Sequence, residues 1–157
     1  MKMRQAAEEF LQVRRIAVTG VSRSPQQHGA NVVYKRLREC GYDVFAINPS
    51  TTSVEGDSAY PSLAALPHGV DAVVIGTRPE HAEATVRECI ALGIDKVWMH
   101  RSMGGGSVSE SAAALAREHG ITVIAGGCPL MYEPVSDAGH KAMRTVLAVT
   151  HRIPARV

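Results

Sequence analysis

Three short stretches hold the residues whose types and spacing could do chemistry. The first is Thr19-Gly20-Val21-Ser22-Arg23-Ser24-Pro25. Gly20 permits a tight turn, and the amides after it can face a phosphate near the start of the following helix. Ser22 and Ser24 offer hydroxyl donors, and Arg23 offers a charge-assisted, bidentate contact. An ordinary solvated turn would use the same residues. The second stretch is Thr77-Arg78-Pro79-Glu80-His81. Pro79 suits a first helical position, and Arg78 either reaches a phosphate or is solvated at the sheet edge. Glu80 and His81 read as exposed residues of the first turn.

The third stretch runs Met99-His100-Arg101-Ser102-Met103-Gly104-Gly105-Gly106. Consecutive glycines permit positive φ and leave amides free to line an anion site, and ordering such a loop costs entropy that a purely structural role does not repay. His100 could titrate near neutrality, with no carboxylate assigned to it. Farther on, Cys128 follows Gly126-Gly127. It reads first as a small buried hydrophobe and second as a reactive thiol. No Ser-His-Asp order, H-E-x-x-H, P-loop lysine or metal-ligand cluster is present. No residue is therefore assigned a catalytic or metal-binding role.

The elements that must position these stretches alternate in type. Apolar runs at Arg15–Thr19, Tyr42–Ile47, Asp71–Ile75, Lys96–Met99 and Ile121–Ile124 predict five buried strands. Helical spacing of Ala30, Val33, Leu37 and Cys40, and of Ala82, Val86, Cys89 and Ile90, predicts helices between them, stopped by Gly41 and Gly93. Ser107 with Glu110 reads as a capping box. Residues 50–69 read as polar and turn-rich, with a short helix through Leu63 and Leu66. A lead helix over 1–13 and a last helix over 137–150 frame one domain spanning 1–157. The expected architecture is a doubly wound, five-stranded parallel Rossmann-like α/β sheet, order 3-2-1-4-5, with helices on both faces. Ligands of such sheets bind beyond the carboxyl ends of the strands where the order reverses. That order puts the reversal between the first and fourth strands.

Composition narrows the partners. The chain has 157 residues, a formal net charge of +2 and only three cysteines, Cys40, Cys89 and Cys128. That charge, carried by scattered basic residues, gives no basic stripe, so nucleic acid is not expected. The cysteines form neither a zinc half-site nor a paired framework. No apolar stretch is long enough for a membrane span and no signal-like segment opens the chain, so a cytoplasmic protein is expected. The first loop lacks G-x-G-x-x-G, having Ser22 and Pro25 where glycines would stand, and the second strand ends in Asn48-Pro49 without the ribose-binding acid. Both departures weigh against NAD.

Seven segments in fixed order resemble the CoA-binding domain family, small bacterial proteins similar to the cofactor-binding domain of the succinyl-CoA synthetase α subunit. They are residues 16–22 (Ile-Ala-Val-Thr-Gly-Val-Ser), 41–49 (ending Ile-Asn-Pro), 60–63, 70–75, 78–82 (Arg-Pro-Glu-His-Ala), 93–98 (ending Val-Trp) and 120–124, leading to Cys128-Pro129. The resemblance implies coenzyme A or acyl-CoA as ligand. It implies phosphates at Gly20, Val21, Ser22 and Arg23, beside the Ser24 hydroxyl of the same loop, and adenosine near Asn48 and Pro49. It implies the pantetheine arm beside Thr77, Arg78, Pro79, Met99 and His100. After the tryptophan the family commonly has Gln then Gly, where this chain has Met99-His100-Arg101. Ligase chemistry is not implied, because the phosphohistidine segment and grasp domain have no counterpart. Three readings follow: a non-catalytic CoA-binding carrier, sensor or regulator; a small NADP-dependent oxidoreductase; and an acyl-CoA thioester-handling enzyme using His100 or Cys128. A homo-oligomer or a further protein partner fits any of them.

Overall fold

A computed structural model describes residues 1–24 and 29–157 of the chain. The order is α1 (Met3–Leu11), β1 (Arg15–Thr19), α2 (Gly29–Glu39), β2 (Asp43–Ile47), β3 (Ser53–Val54), β4 (Asp57–Tyr60), β5 (Ala72–Ile75), α3 (Pro79–Leu92), β6 (Lys96–Met99), α4 (Glu110–Glu118), β7 (Thr122–Ala125) and α5 (Ala138–Val149). The strands form one sheet in the order β3-β4-β2-β1-β5-β6-β7. Every pairing is parallel except β3 with β4.

Alternation along each strand divides the core into two layers, as the two-residue period of a strand requires. Ile16, Val18, Ala72, Val74, Trp98 and Ile124 face one side with α1, α2 and residues 128–135. Ala17, Val73, Ile75, Val97, Met99 and Val123 face the other with α3 and α4. Both faces are covered, which is why the central strands are apolar at nearly every position. Trp98 anchors the first layer: Phe10 packs edge-on at 5.3 Å between ring centroids, and the indole Nε1–H donates to the Gly126 carbonyl at 3.0 Å.

Three expectations are corrected. The sheet has seven strands, because Ser53–Val54 and Asp57–Tyr60 pair around Glu55-Gly56. Both turn residues have positive φ, 51° and 79°, the geometry of a two-residue hairpin. The strand order also differs. β4 occupies the place beside β2, with Ala46 opposite Ala59, and Ala72–Ile75, the third strand expected from sequence, pairs with β1 on its other side. The reversal therefore lies between β1 and β5. Finally, α4 starts at Glu110 with Ser109 as cap, its Oγ accepting from the Ala112 amide at 3.3 Å. Ser107 instead closes the preceding loop, its amide donating to the His100 carbonyl at 2.7 Å.

Candidate ligand site at the sheet edge

The reversal of strand order brings the carboxyl ends of β1 and β5 side by side, and two glycines let the backbones touch there. A Cβ on Gly20 (φ +79°) would stand 2.5 Å from the Gly76 carbonyl oxygen. A Cβ on Gly76 would stand 2.6 Å from the Thr19 carbonyl oxygen and equally close to Ala30 Cβ. The Gly76 amide donates to Thr19 Oγ1 at 3.1 Å, which ties the two exits together. Side chains are excluded from this point by contact distance alone.

Two concavities open on either side of it. One, about 320 Å³, is lined by Gly20, Asn48, Pro49 and Thr77 together with His81 and Glu88 of α3. The other, about 270 Å³, is lined by Gly29, Gly76, Thr77, Arg78, His100 and the Ser102–Ser107 loop. Thr77 belongs to both. Its Oγ1 is buried without a hydrogen-bond partner among the described residues, a donor and acceptor available to a ligand crossing between the lobes. The lobes differ in charge: the first includes the Glu88 carboxylate, whereas the second has Arg78 and no acid in its lining.

The first loop is held by a residue that the sequence reading missed. Asn31, wholly buried on α2, accepts from the Ser22 amide at 2.8 Å and donates to the Ser22 carbonyl at 2.7 Å. Its Nδ2 also donates to Glu55 Oε1 at 2.8 Å. One amide side chain thus latches the loop to the β3–β4 hairpin. Asn48 holds the same loop from β2, donating to the Val21 carbonyl at 2.9 Å while its Oδ1 accepts from the Ser50 amide at 2.8 Å. A lone asparagine among Ala30, Val33, Tyr34 and Leu37 on the buried face of a helix was the available signal for Asn31.

The expected site residues fall into two groups. Gly20, Asn48, Pro49, Thr77, Arg78 and His100 line the two lobes. Val21 and Met99 are fully buried, their side chains in the core, so only their backbones are available. Ser22 holds its loop, its Oγ accepting from the Ser24 amide at 3.0 Å. Arg23, Ser24 and Pro79 are exposed outside both linings. Pro25, read at the end of the first loop, lies outside the described residues.

Among the described residues, His100 is the one histidine that lines the second lobe. Its ring rests against Gly29 at the start of α2, where a Cβ would meet Cε1 at 2.9 Å. Burial, with a smaller contribution from His140, pulls it down to about 4, so it is neutral at neutral pH. The loop after it is pinned at both ends, by Ser107 to His100 and by the Arg101 amide to the Gly127 carbonyl at 2.9 Å. Cys128 is 2% exposed and burial pushes its thiol up to about 12. It is a protonated core group, not a nucleophile at hand.

The family description "CoA binding domain" matches residues 14–134, most of the chain. The chain belongs to the CoA-binding domain family. The protein YneT of Bacillus subtilis (strain 168), described as uncharacterized, is 30% identical over 122 residues, covering 77% of this chain and 87% of that one. The acetate–CoA ligase [ADP-forming] II subunit alpha of Pyrococcus furiosus is 29% identical over 127 residues, 76% of this chain. The match there spans 27% of the larger subunit. Among solved structures, a hypothetical protein from Pyrococcus horikoshii OT3 superposes with a TM-score of 0.74 at 29% identity, over 82% of this chain and 87% of that one. No helix among the described residues is long and apolar enough to cross a membrane.

Proposed function

We propose that the domain binds coenzyme A or an acyl-CoA across the two lobes and acts, without covalent chemistry of its own, as a carrier, sensor or regulator. The observation that carries this reading is the paired concavity hinged at Thr77, one lobe holding Asn48 and Pro49 and the other Arg78 and His100 without an acid. A ligand with a base at one end, phosphates at the middle and a long neutral arm at the other matches that division. The adenosine takes the lobe of Asn48 and Pro49. The phosphates lie over Gly20, Val21, Ser22, Arg23 and Ser24, with the exposed Arg23 supplying the charge. The pantetheine arm runs past Thr77, Arg78, Pro79, Met99 and His100. Family membership and the acetate–CoA ligase relative support the cofactor. The burial of Cys128, which keeps its thiol protonated, supports a binding role over thioester chemistry through that cysteine. A cytoplasmic setting and a protein partner, whether another chain or a second copy, complete the reading.

Calorimetric titration with CoA, acetyl-CoA, NAD and NADP tests it. CoA is expected to bind, and Arg23→Ala to weaken it about tenfold, the worth of one charge-assisted contact. Binding of NADP with no CoA heat would favour the oxidoreductase reading and sink this one. Thioester turnover lost in Cys128→Ser or His100→Ala at unchanged CoA affinity would overturn the non-catalytic assignment.

A further inference from the structure

The family-matched segment ends at residue 134, and a cavity larger than either lobe lies almost wholly outside it. About 640 Å³ opens between the start of α1, the last turns of α5 and the chain's carboxyl tail. Tyr132 alone among its lining residues falls within the matched segment. Met3 and Tyr132, both 5% exposed, are its most buried lining residues. Ala148 and Val149 form one wall, and Ile153 and Pro154 the other. The tail is fixed as a wall by hydrogen bonds at both ends: the Arg152 amide donates to the Leu147 carbonyl at 2.8 Å, and the Met3 amide to the Ala155 carbonyl at 3.1 Å.

The charge in this groove is one-sided. Its lining has no Asp or Glu and includes Arg4, Arg144 and His151. Arg4 pairs with Glu8 at 3.0 Å, and Glu133 outside the lining pairs with Lys141 while also feeling the Arg144 charge at longer range. Arg144 has no carboxylate within ion-pair distance among the described residues. It is held from behind instead, donating to the Met131 carbonyl at 3.1 Å, with its guanidinium 5.3 Å from the Tyr132 ring centroid. A guanidinium carries five N–H donors, so most of Arg144's remain for an anion. An oriented, half-buried cation at the head of an apolar channel is complementary to a carboxylate with an alkyl tail.

We propose that this groove is a second ligand site, for a free medium-chain carboxylate, with the head group on Arg144 and the chain along Ala148, Val149 and Ile153. From Arg144 to Val149 the helix rises about 7.5 Å, and the tail extends the channel beyond that. The site stands on its own residues and does not depend on what the sheet edge binds.

The test uses the full chain and its sole tryptophan. Trp98 lies 5.7 Å from the Tyr132 ring, so its emission reports on the groove floor. Decanoate is titrated below its micellar range, beside hexanoate, 1-decanol and decyltrimethylammonium, with calorimetry for stoichiometry. Decanoate is expected to bind one-to-one, each methylene beyond hexanoate tightening it about two- to fourfold. The alcohol and the cation are expected to bind at least tenfold more weakly. Arg144→Gln and Ala148→Glu should each weaken decanoate at least tenfold. Ala148 is an exposed helix position, so its variant keeps the test decisive if loss of the Arg144 contact to Met131 unfolds the other. Unsaturable binding, equal affinity for the alcohol, or an undiminished response in folded Arg144→Gln or Ala148→Glu would overturn the proposal. So would sedimentation as a dimer that Ala148→Glu splits, since a second copy would then fill the groove.

Discussion

Asn31 shows how much of a site can rest on one neutral side chain. Its amide satisfies both backbone groups of Ser22 and one oxygen of Glu55. Removing it leaves part-buried donors and acceptors without their partners, which costs more than the bonds themselves contributed. Asn31→Ala is expected to lose about 2–3 kcal/mol of stability in urea unfolding. An unchanged midpoint would show that the latch is dispensable. His100 makes a second residue-level prediction. Burial holds it at about 4 against 6.5 for the free side chain, so between those values the unfolded chain binds the extra proton. Stability then falls as pH drops from 6.5 toward 4, by up to about 3 kcal/mol from this group, and is fully present above 6.5. Asp137, held below the usual carboxylate range chiefly by the His140 backbone N–H, adds to the same acid limb as pH falls through its lowered value. Urea midpoints at pH 7, 5.5 and 4.5 check the claim: His100→Gln should flatten the curve, and an equally steep variant would assign the acid loss elsewhere.

At the scale of elements, strands and helices with strong periodicity were legible from the residues alone. Arg15–Thr19 and Lys96–Met99 are found as expected, since a buried strand flanked by turn residues leaves few alternatives. The hairpin of β3 and β4 was not, because Ser53, Asp57 and Ser58 lack the apolar, β-branched signature of strands. Its signal lay in the turn, where Gly56 followed a residue that must also take positive φ. Strand order differs for the same reason: without β4 in the pattern, periodicity alone places Asp71–Ile75 beside β2, whereas β4 holds that place. The loops of the candidate site leave the same edge of the sheet in either order. What changed is which exits touch: β1 with β5, through Gly20 and Gly76. Gly76→Ala would force its methyl against the Thr19 carbonyl and Ala30, and is expected to destabilise by about 2–4 kcal/mol. Thermal unfolding measures this, and a loss below 1 kcal/mol would mean that the two exits can part cheaply.

For the molecule as a whole, local pattern predicted the layers and long-range closure did not show itself. Both faces of the sheet are covered as the alternating strands and helices require, and the two apolar layers follow from side-chain direction in each strand. The latch at Asn31 and the tail groove each join segments remote in sequence, so neither leaves a periodic trace. The same holds for the pairing of the chain's ends, where the Val157 amide donates to the Met1 carbonyl at 3.2 Å and Lys2 bridges Arg156.

That pairing has an architectural consequence. A folded unit whose first and last residues meet at one spot can be spliced into a surface loop of another protein, because host and guest then share a single narrow junction. Joining the two ends would let new termini be opened in the exposed Met103–Gly105 loop without redrawing the sheet. In this sense the chain behaves less like a line with two ends than like a ring opened at an arbitrary place.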